Sequence, residues 1–368
     1  MNSTSLTNTL QRLYQPHCWL PRRHAAIGVD VGTYWTKILW LNNNWSAVRE
    51  ACWVRIPTTL ASTKMLDRPN VETLRPGLDR LAQHVSQAIS KAQLGSLQYL
   101  AAALSMAWSD IVSVDSEESL TQPSSPALQK RLAALGSTNS KLCIAELPKP
   151  IRANECFEGR RFMCLPEQIP LDFVNAMRHH HLELDRLEGA PWCLARSLQL
   201  VADPDQVEVL IDWGYSAVTL VACYQQELLF CRKLECPALL GIVSQLQQSF
   251  QLSTAAAARF LERMSLSPAN TPNSERRADD KCVRILNEHA SLLNREIRVA
   301  LKYLAWRMPT VPCQRLWITG GGACASALME LLNQQSPLPC RAWSWQPAAH
   351  LPALPADMAI AAALAQGE

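Results

Sequence analysis

Two short stretches of the chain place a carboxylate where a strand ends and a glycine-containing turn begins. In the first stretch, an apolar run from Ala25 reaches Asp30, turns at Gly32 and Thr33, and resumes through Ile38. The backbone N–H groups of such a turn can face a phosphate, and a carboxylate beside them can hold a hydrated Mg²⁺. The spacing therefore predicts a strand, a phosphate-binding turn and a second strand.

The second stretch, from Val207 to Val221, repeats this pattern further along the chain. The matched pairs are Asp30 with Asp212, Gly32 with Gly214, and Lys37 with Thr219, all at an offset of 182 positions. A single carboxylate-and-glycine turn is common, whereas a repeat at a fixed offset is a specific signal. It predicts a duplicated unit whose two turns face each other across a cleft and bind a polyphosphate between them.

A third glycine-rich element lies about a hundred residues after the second copy, where a strand is predicted to end and a helix to begin. Glycine allows the backbone to approach a ligand closely. The candidate nucleotide- and phosphate-binding residues are Asp30, Gly32, Thr33, Lys37, Asp212, Gly214, Ser216, Thr219, Gly320, Gly321 and Gly322. Asp30 and Asp212 are also the candidate ligands of Mg²⁺, through water.

Two points about these candidates stay open on the sequence alone. Lys37 lies seven residues beyond Asp30, and on an extended strand its side chain could point away from the cleft. The aspartates and glycines could also form tight turns without binding anything.

Composition excludes several classes of function. The chain has 368 residues, of which 48% are apolar and 18% charged, so two folded domains are expected. A net charge of +3 without a dense Lys/Arg stripe argues against a nucleic-acid partner. The 13 cysteines include no C-x-x-C pair, and no apolar run reaches the ~20 residues that span a bilayer. With a polar beginning, this predicts reduced thiols in the cytoplasm.

The order of predicted elements gives the domain organisation. Residues 1–24 are predicted to be a flexible leader. The first domain covers 25–202, with strands over 25–56, a helix over 76–92, a fourth strand over 97–106 and a divergent insertion around 109–170. The second domain covers 203–368, with strands at 207–212, 217–224 and 227–234, a loop at 265–280 and a long helix at 281–307.

Three consecutive histidines invite a metal interpretation. His179, His180 and His181 fall in a segment, 173–182, that is predicted to be helical. Three adjacent residues on a helix point in three directions, and no cysteine or carboxylate stands at zinc-ligand spacing. The sequence therefore predicts no metal site here.

The order of two phosphate turns and a late glycine loop resembles the actin-like ATPase superfamily, and within it the type IV pilus assembly protein PilM, a relative of FtsA and MreB. The segments that carry the resemblance are Ile27–Gly32 with Lys37, Ala190–Leu200, Leu210–Gly214, Phe250–Ser253 with the alanine-rich helix behind it, and Thr319–Gly322. The resemblance implies an α/β, actin-like ATPase fold: two duplicated ribonuclease H-like domains around a central cleft.

The resemblance also implies a function. PilM-like proteins are cytoplasmic, lie at the inner membrane only through partners, and bind the cytoplasmic tail of the membrane protein PilN, which connects the platform to the pilus motor ATPase. Competence and fimbrial systems have relatives with the same role. ATP and Mg²⁺ are the implied ligands of the cleft.

Some positions depart from that family pattern. Ala258 and Leu261 stand where nucleotide-binding members carry Glu and Lys, and bulky Tyr34, Trp35 and Tyr215 occupy the turns. The sequence also offers no clear general base. An ATP site with weak turnover at most, and a docking module that has lost ATP, are both compatible with these residues. The alternatives from other classes are a sugar kinase-like phosphotransferase and an FtsA- or MreB-like filament protein.

Overall fold

The computed structural model describes residues 25–44, 47–58, 71–92, 98–114, 142–147, 160–264 and 273–366. These residues form two compact units. Unit 1 takes its residues from 1–197, 346–354 and 360–368, and unit 2 from 198–345 and 355–359. The predicted leader, 1–24, and a short helix predicted at 127–135 lie outside the described residues.

Among the described residues, the first half of the chain supplies two sheets and three helices. In chain order the elements are β1 (Ala25–Val31), β2 (Trp35–Asn44), β3 (Ala47–Pro57), α1 (Val71–Lys91), β4 (Gln98–Leu104), β5 (Asp110–Val114), β6 (Leu142–Glu146), β7 (Arg160–Pro166), α2 (Gln168–His179), β8 (Arg186–Gly189) and α3 (Ala190–Gln199).

The larger sheet of unit 1 has the strand order β3-β2-β1-β4-β8. β1 pairs antiparallel with β2 and parallel with β4, and β4 pairs parallel with β8. Ile27, Val29 and Val31 are at most 1% exposed. A central strand that is covered on both faces needs such a nearly continuous apolar sequence. A separate antiparallel sheet of order β5-β7-β6 falls within the region predicted to be an insertion.

Helix α1 buries the apolar face that its periodicity predicts. Leu78, Leu81, Val85 and Ile89 are all buried, as residues that recur at helical spacing should be. The helix begins at Val71, however, so Pro76 lies inside it and not in its first turn.

The second half of the chain supplies one sheet and most of the longer helices. Its elements are β9 (Val207–Trp213), β10 (Val218–Tyr224), β11 (Glu227–Lys233), α4 (Leu239–Phe250), α5 (Thr254–Arg263), α6 (Asn273–Arg307), β12 (Cys313–Thr319), α7 (Ser326–Gln335), β13 (Cys340–Ala342) and α8 (Ala359–Gln366).

The sheet of unit 2 reproduces the larger sheet of unit 1. Its order is β11-β10-β9-β12-β13, with β9 antiparallel to β10 and parallel to β12, and with β12 parallel to β13. Both sheets therefore share one order and one set of strand directions. The predicted α/β duplication is confirmed.

The long helix of unit 2 starts earlier than the sequence suggested. The prediction placed a loop at 265–280, but α6 already begins at Asn273. The segment 275–281 is rich in Glu, Arg, Ala and Lys, which are good helix formers, so its mixed charge belongs to a helix and not to a loop. Residues 265–272 lie outside the described part of the chain.

The helix α8 returns to unit 1. It packs so closely on β1 that a Cβ added at Gly28 would lie 2.1 Å from the carbonyl oxygen of Ala361 and 2.8 Å from the nitrogen of Ala365. The predicted domains, 25–202 and 203–368, stay a prediction, and the compact units differ from them by assigning residues 346–354 and 360–368 to unit 1. Among the described residues no helix is both long and apolar enough to cross a membrane.

Candidate functional site

The first predicted turn joins β1 to β2. Asp30 is 5% exposed and the adjacent Thr33 is equally buried. The N–H of Gly32 donates to the carbonyl of Asp30 at 3.2 Å. A Cβ at Gly32 would lie 2.4 Å from the carbonyl oxygen of Trp35, so only glycine fits this tight turn.

Lys37 points toward Asp30. The two residues are directly opposite on β1 and β2, and Nζ of Lys37 donates to Oδ2 of Asp30 at 2.7 Å. Opposite residues of paired strands project to the same face of a sheet. Lys37 and Asp30 therefore project to the same face of the sheet, and the side chain of Lys37 does not point away from the carboxylate. Its ammonium group is bound to the carboxylate that was predicted to hold Mg²⁺.

A second carboxylate shares the row of Asp30 across the sheet. Asp30 is opposite Ala103 on β4, which is opposite Glu188 on β8. Arg196 donates to both oxygens of Glu188, at 2.6 and 2.8 Å. Glu188 and Arg196 were not found from the sequence. The sequence signal for this pair is a glutamate near the end of a short strand, β8, with an arginine eight positions later in the helix that follows.

The thiol of Cys193, which contacts Glu188 at 3.8 Å, is not available as a nucleophile. Cys193 is completely buried, and burial, together with the negative charge of Glu188, raises the pKa of its thiol well above the ordinary value. Burial likewise raises the pKa of Cys223 and of Cys313 to about 12. A thiol reacts as its thiolate, so these groups act as packing residues.

The second turn, between β9 and β10, also places its glycine two residues after the aspartate, but it closes with a different hydrogen bond. The N–H of Gly214 donates to the carbonyl of Ala217 at 3.1 Å. The carbonyls of Gly214 and Tyr215 accept from the N–H groups of Leu239 and Leu240, at 3.2 and 2.8 Å. These are the first two residues of α4, so the turn caps that helix and uses N–H groups that could otherwise bind an anion.

The third predicted element, the glycine loop at 320–322, lies against the second, the Asp212 turn, in unit 2. Thr319, just before the glycines, is opposite Asp212 on the neighbouring parallel strand. Gly320 has φ = +78°, and a Cβ there would lie 2.3 Å from Oδ1 of Asp212. A Cβ at Gly322 would lie 2.7 Å from the side chain of Trp213. The carboxylate and the glycine loop are therefore one site, and Gly321 begins a short 3₁₀ turn beside it.

The hydroxyl candidates of unit 2 differ in accessibility. Ser216 is partly exposed. Thr219 lies opposite Asp212, as Lys37 lies opposite Asp30, but its Oγ1 is buried and has no hydrogen-bond partner among the described residues. The two copies thus share a position in the fold and differ in chemistry: a cation faces the aspartate in unit 1 and a buried hydroxyl in unit 2.

The three consecutive histidines are arranged differently from the prediction. Helix α2 ends at His179, and His180 has left helical geometry, with φ = −95° and ψ = 24°. His179 Nδ1 and His180 Nε2 each lie 3.2 Å from Oδ1 of Asp79 on α1. The hydrogen bond from His179 lowers the pKa of Asp79. The premise that adjacent histidines point apart was wrong here, because it assumed a continuous helix through 182.

The two sheets of the same strand order, each with its glycine-containing turn, define the class of fold, which is that of the actin-like ATPases. No protein-family model and no curated protein sequence matches the chain. Among solved structures it is similar to one described as a PilM–PilN type IV pilus biogenesis complex, with 19% identity, a TM-score of 0.64, and coverage of 94% of this chain and 98% of that chain. It is also similar to the ethanolamine utilization protein EutJ from Carboxydothermus hydrogenoformans, with 11% identity, a TM-score of 0.50, and coverage of 99% and 97%. At these identities the likeness shows the fold alone.

Proposed function

We propose that the chain is an assembly protein of a type IV pilus, or of a related competence or fimbrial platform, which binds the cytoplasmic tail of a PilN-like inner-membrane protein. The observation that carries the proposal is the similarity to PilM in the PilM–PilN complex over 94% of this chain and 98% of that one. The proposal includes a cytoplasmic location, attachment to the inner membrane through this partner, and contact with the pilus motor ATPase.

The state of the carboxylates favours a binding role over phosphotransfer. A general base must accept a proton from the attacking group within hydrogen-bond distance. In the row of unit 1, Asp30 is bound to the ammonium of Lys37, and Glu188 is held at both oxygens by Arg196. The sugar kinase-like alternative would need one of these carboxylates to be released.

The partner is tested by binding. A synthetic peptide with the sequence of the cytoplasmic tail of the bitopic membrane protein encoded beside this chain should bind the full chain in a fluorescence anisotropy titration. A scrambled peptide of the same composition is the control. Hydrogen exchange with and without the peptide then identifies the segments that the peptide protects. No preference for the native tail, together with sugar-dependent consumption of ATP, would contradict the proposal in favour of a kinase.

Nucleotide binding is a separate part of the proposal, and the two turns fit it unequally. In unit 2, Asp212 is partly exposed and the glycine loop lies against it, so ATP with a hydrated Mg²⁺ fits there. Asp30 fits Mg²⁺ poorly, since Lys37 already neutralises it. Ala258 and Leu261, at the positions where the resembling family carries Glu and Lys, are buried. We propose weak ATP binding at the Asp212 turn.

Thermal unfolding with Mg-ATP tests this second part. The wild type should melt at a higher temperature in millimolar Mg-ATP, because a ligand of the native state stabilises it by mass action. Asp212→Ala should lose most of that shift, whereas Asp110→Ala, on β5, should keep it. An unchanged melting temperature of the wild type would show that the nucleotide function is lost, without bearing on the peptide-binding result.

A further inference from the structure

Three side chains from two helices of unit 1 converge on one point outside the nucleotide-type turns. Asp79 comes from the middle of α1, and His179 and His180 come from the end of α2. The carboxylate oxygen and the two ring nitrogens all lie within 4.8 Å of one another. They are accessible to solvent, because the side chains of His179 and Asp79 are 75% and 49% exposed.

The way α2 ends makes this convergence possible. The N–H of His181 donates to the carbonyl of Arg178, and the N–H of Leu182 donates to that of Met177, at 3.0 and 2.9 Å. His181 has φ = 60°. These two bonds around a left-handed residue form a Schellman motif, which closes a helix sharply. His180 is the C-cap, with φ = −95° and ψ = 24°, and its ring and that of His179, the last helical residue, both reach Asp79 on α1.

The two helices are fixed relative to each other at this point. Ser86, two turns after Asp79 on α1, donates its hydroxyl to the carbonyl of His180 at 3.1 Å. Residues two helical turns apart lie on the same face of a helix. One face of α1 therefore holds both the side chain and the backbone of His180, so the ligand atoms are positioned before any ion arrives.

Two of the three distances in the cluster match those between ligands of one metal ion, and the third, between the two ring nitrogens, is at most 4.8 Å. Imidazole nitrogen and carboxylate oxygen each lie about 2.0–2.2 Å from a tetrahedral Zn²⁺, which places the two ligand atoms roughly 3.3–3.5 Å apart. In the structure each ring nitrogen is 3.2 Å from Oδ1 of Asp79. An ion could therefore replace the two shared protons with a small movement of His179 and Asp79, which are exposed, beside His180, which is 20% exposed.

We propose that Asp79, His179 and His180 form a binding site for one divalent transition-metal ion of the Zn²⁺, Ni²⁺ or Co²⁺ type. Two imidazoles and one carboxylate suit these ions and disfavour Mg²⁺ and Ca²⁺, which prefer oxygen ligands. Three protein ligands leave at least one coordination position for water. The bound ion would link α1 to the end of α2 within unit 1. The site does not depend on the proposed pilus function.

Isothermal titration of the full chain with Ni²⁺ tests the site, and Ni²⁺ is preferable to Zn²⁺ because the chain has 13 cysteines. One ion per chain is expected. Asp79→Asn and His180→Gln should each weaken binding at least about tenfold, as the loss of a ligand does. His181→Asn is the matched control: this neighbour is not among the proposed ligands, and asparagine tolerates its left-handed backbone. Its affinity should equal that of the wild type.

The identity of the ligands is checked by the absorption spectrum of the Co²⁺-loaded chain. Nitrogen and oxygen ligation gives d–d bands without the near-ultraviolet charge-transfer band of a cobalt thiolate. Circular dichroism of each variant establishes that it is folded. Either of two results would overturn the proposal: a wild type that does not bind Ni²⁺, or binding that survives both substitutions in folded variants. The first would leave the cluster as a pair of hydrogen bonds that join two helices.

Discussion

Replacing Lys37 by Met tests whether the ion pair with Asp30 is a structural element of unit 1. The side chains of Lys37 and Asp30 are only 14% and 7% exposed, and Nζ lies 2.7 Å from Oδ2. Met retains most of the aliphatic volume and removes the ammonium group. The carboxylate of Asp30 then stays buried without its cation, and loss of one partner of a buried pair costs about 3–5 kcal/mol.

This loss is large enough to measure in two ways. Urea unfolding followed by circular dichroism gives the change in the free energy of unfolding directly. In calorimetry, 1 kcal/mol changes the melting temperature by roughly 2–4 °C for a unit of 150–250 residues, so unit 1 should melt about 6–20 °C lower. Asp30→Asn combined with Lys37→Met should recover part of the loss, because the uncompensated charge is gone.

A looser ion pair in the same unit provides the control. Nε of Arg75 lies 3.8 Å from Oδ1 of Asp172; the Asp172 side chain is buried, but that of Arg75 is 75% exposed. Asp172 also accepts a hydrogen bond from Gln168 at 2.7 Å. An ion pair with a solvent-exposed cation contributes about 0–1 kcal/mol, so Arg75→Met should change the free energy of unfolding by no more than that. If Lys37→Met cost no more than Arg75→Met, the argument that burial makes the Asp30 pair strong would be refuted.

Three further outcomes follow from burial and backbone geometry. Gly320→Ala should destabilise unit 2 by more than about 1 kcal/mol, since the new Cβ meets Asp212 at 2.3 Å and φ is +78°; an unchanged urea midpoint would contradict this. His289 is 2% exposed and both ring nitrogens have no partner among the described residues, and burial lowers its pKa below 6.5. Because the folded state disfavours protonation of His289, its contribution to the free energy of unfolding is complete above pH 6.5 and is lost as the pH falls below that value. His289→Leu should reduce the fall of the free energy of unfolding with decreasing pH, measured by urea unfolding at several pH values. The same pH dependence in the variant and the wild type would exclude His289 as the source of that fall. With a pKa of about 12, the thiol of Cys223 is ionised in roughly one molecule in ten thousand at pH 8. Iodoacetamide should therefore label Cys223 far more slowly than the exposed Cys52, as measured by peptide mass spectrometry. Equal labelling rates would show that β10 opens readily.

The duplication could be predicted because each copy preserves spacing as well as residue type. In both hairpins the residue opposite the aspartate comes seven positions after it, so Asp30 meets Lys37 and Asp212 meets Thr219 in the same register. The same spacing decides to which face of the sheet the side chain of Lys37 projects. The register of the hairpin, not the extended geometry of one strand, decides which face its side chain occupies.

Other features depend on contacts between residues that are distant in sequence. Nothing close to His179 indicates that Asp79, a hundred positions earlier, lies on the neighbouring helix, and the Schellman ending uses a histidine where glycine is usual. The contact of Arg196 with Glu188 is local, but its importance follows from the register across three strands that places Glu188 in the row of Asp30.

The return of α8 to β1 makes the completion of unit 1 depend on residues that come after the whole sheet of unit 2. Every strand of the unit 2 sheet lies between residues 207 and 342, so that sheet can be completed from one continuous segment. The face of β1 at Gly28 is covered only when Ala361 and Ala365 arrive from the far end of the chain, and closing such a long loop is slow. Unit 2 is therefore able to fold first, although it comes second in the sequence. A cut or a bulky fusion near residue 360 would act on the strand that carries Asp30.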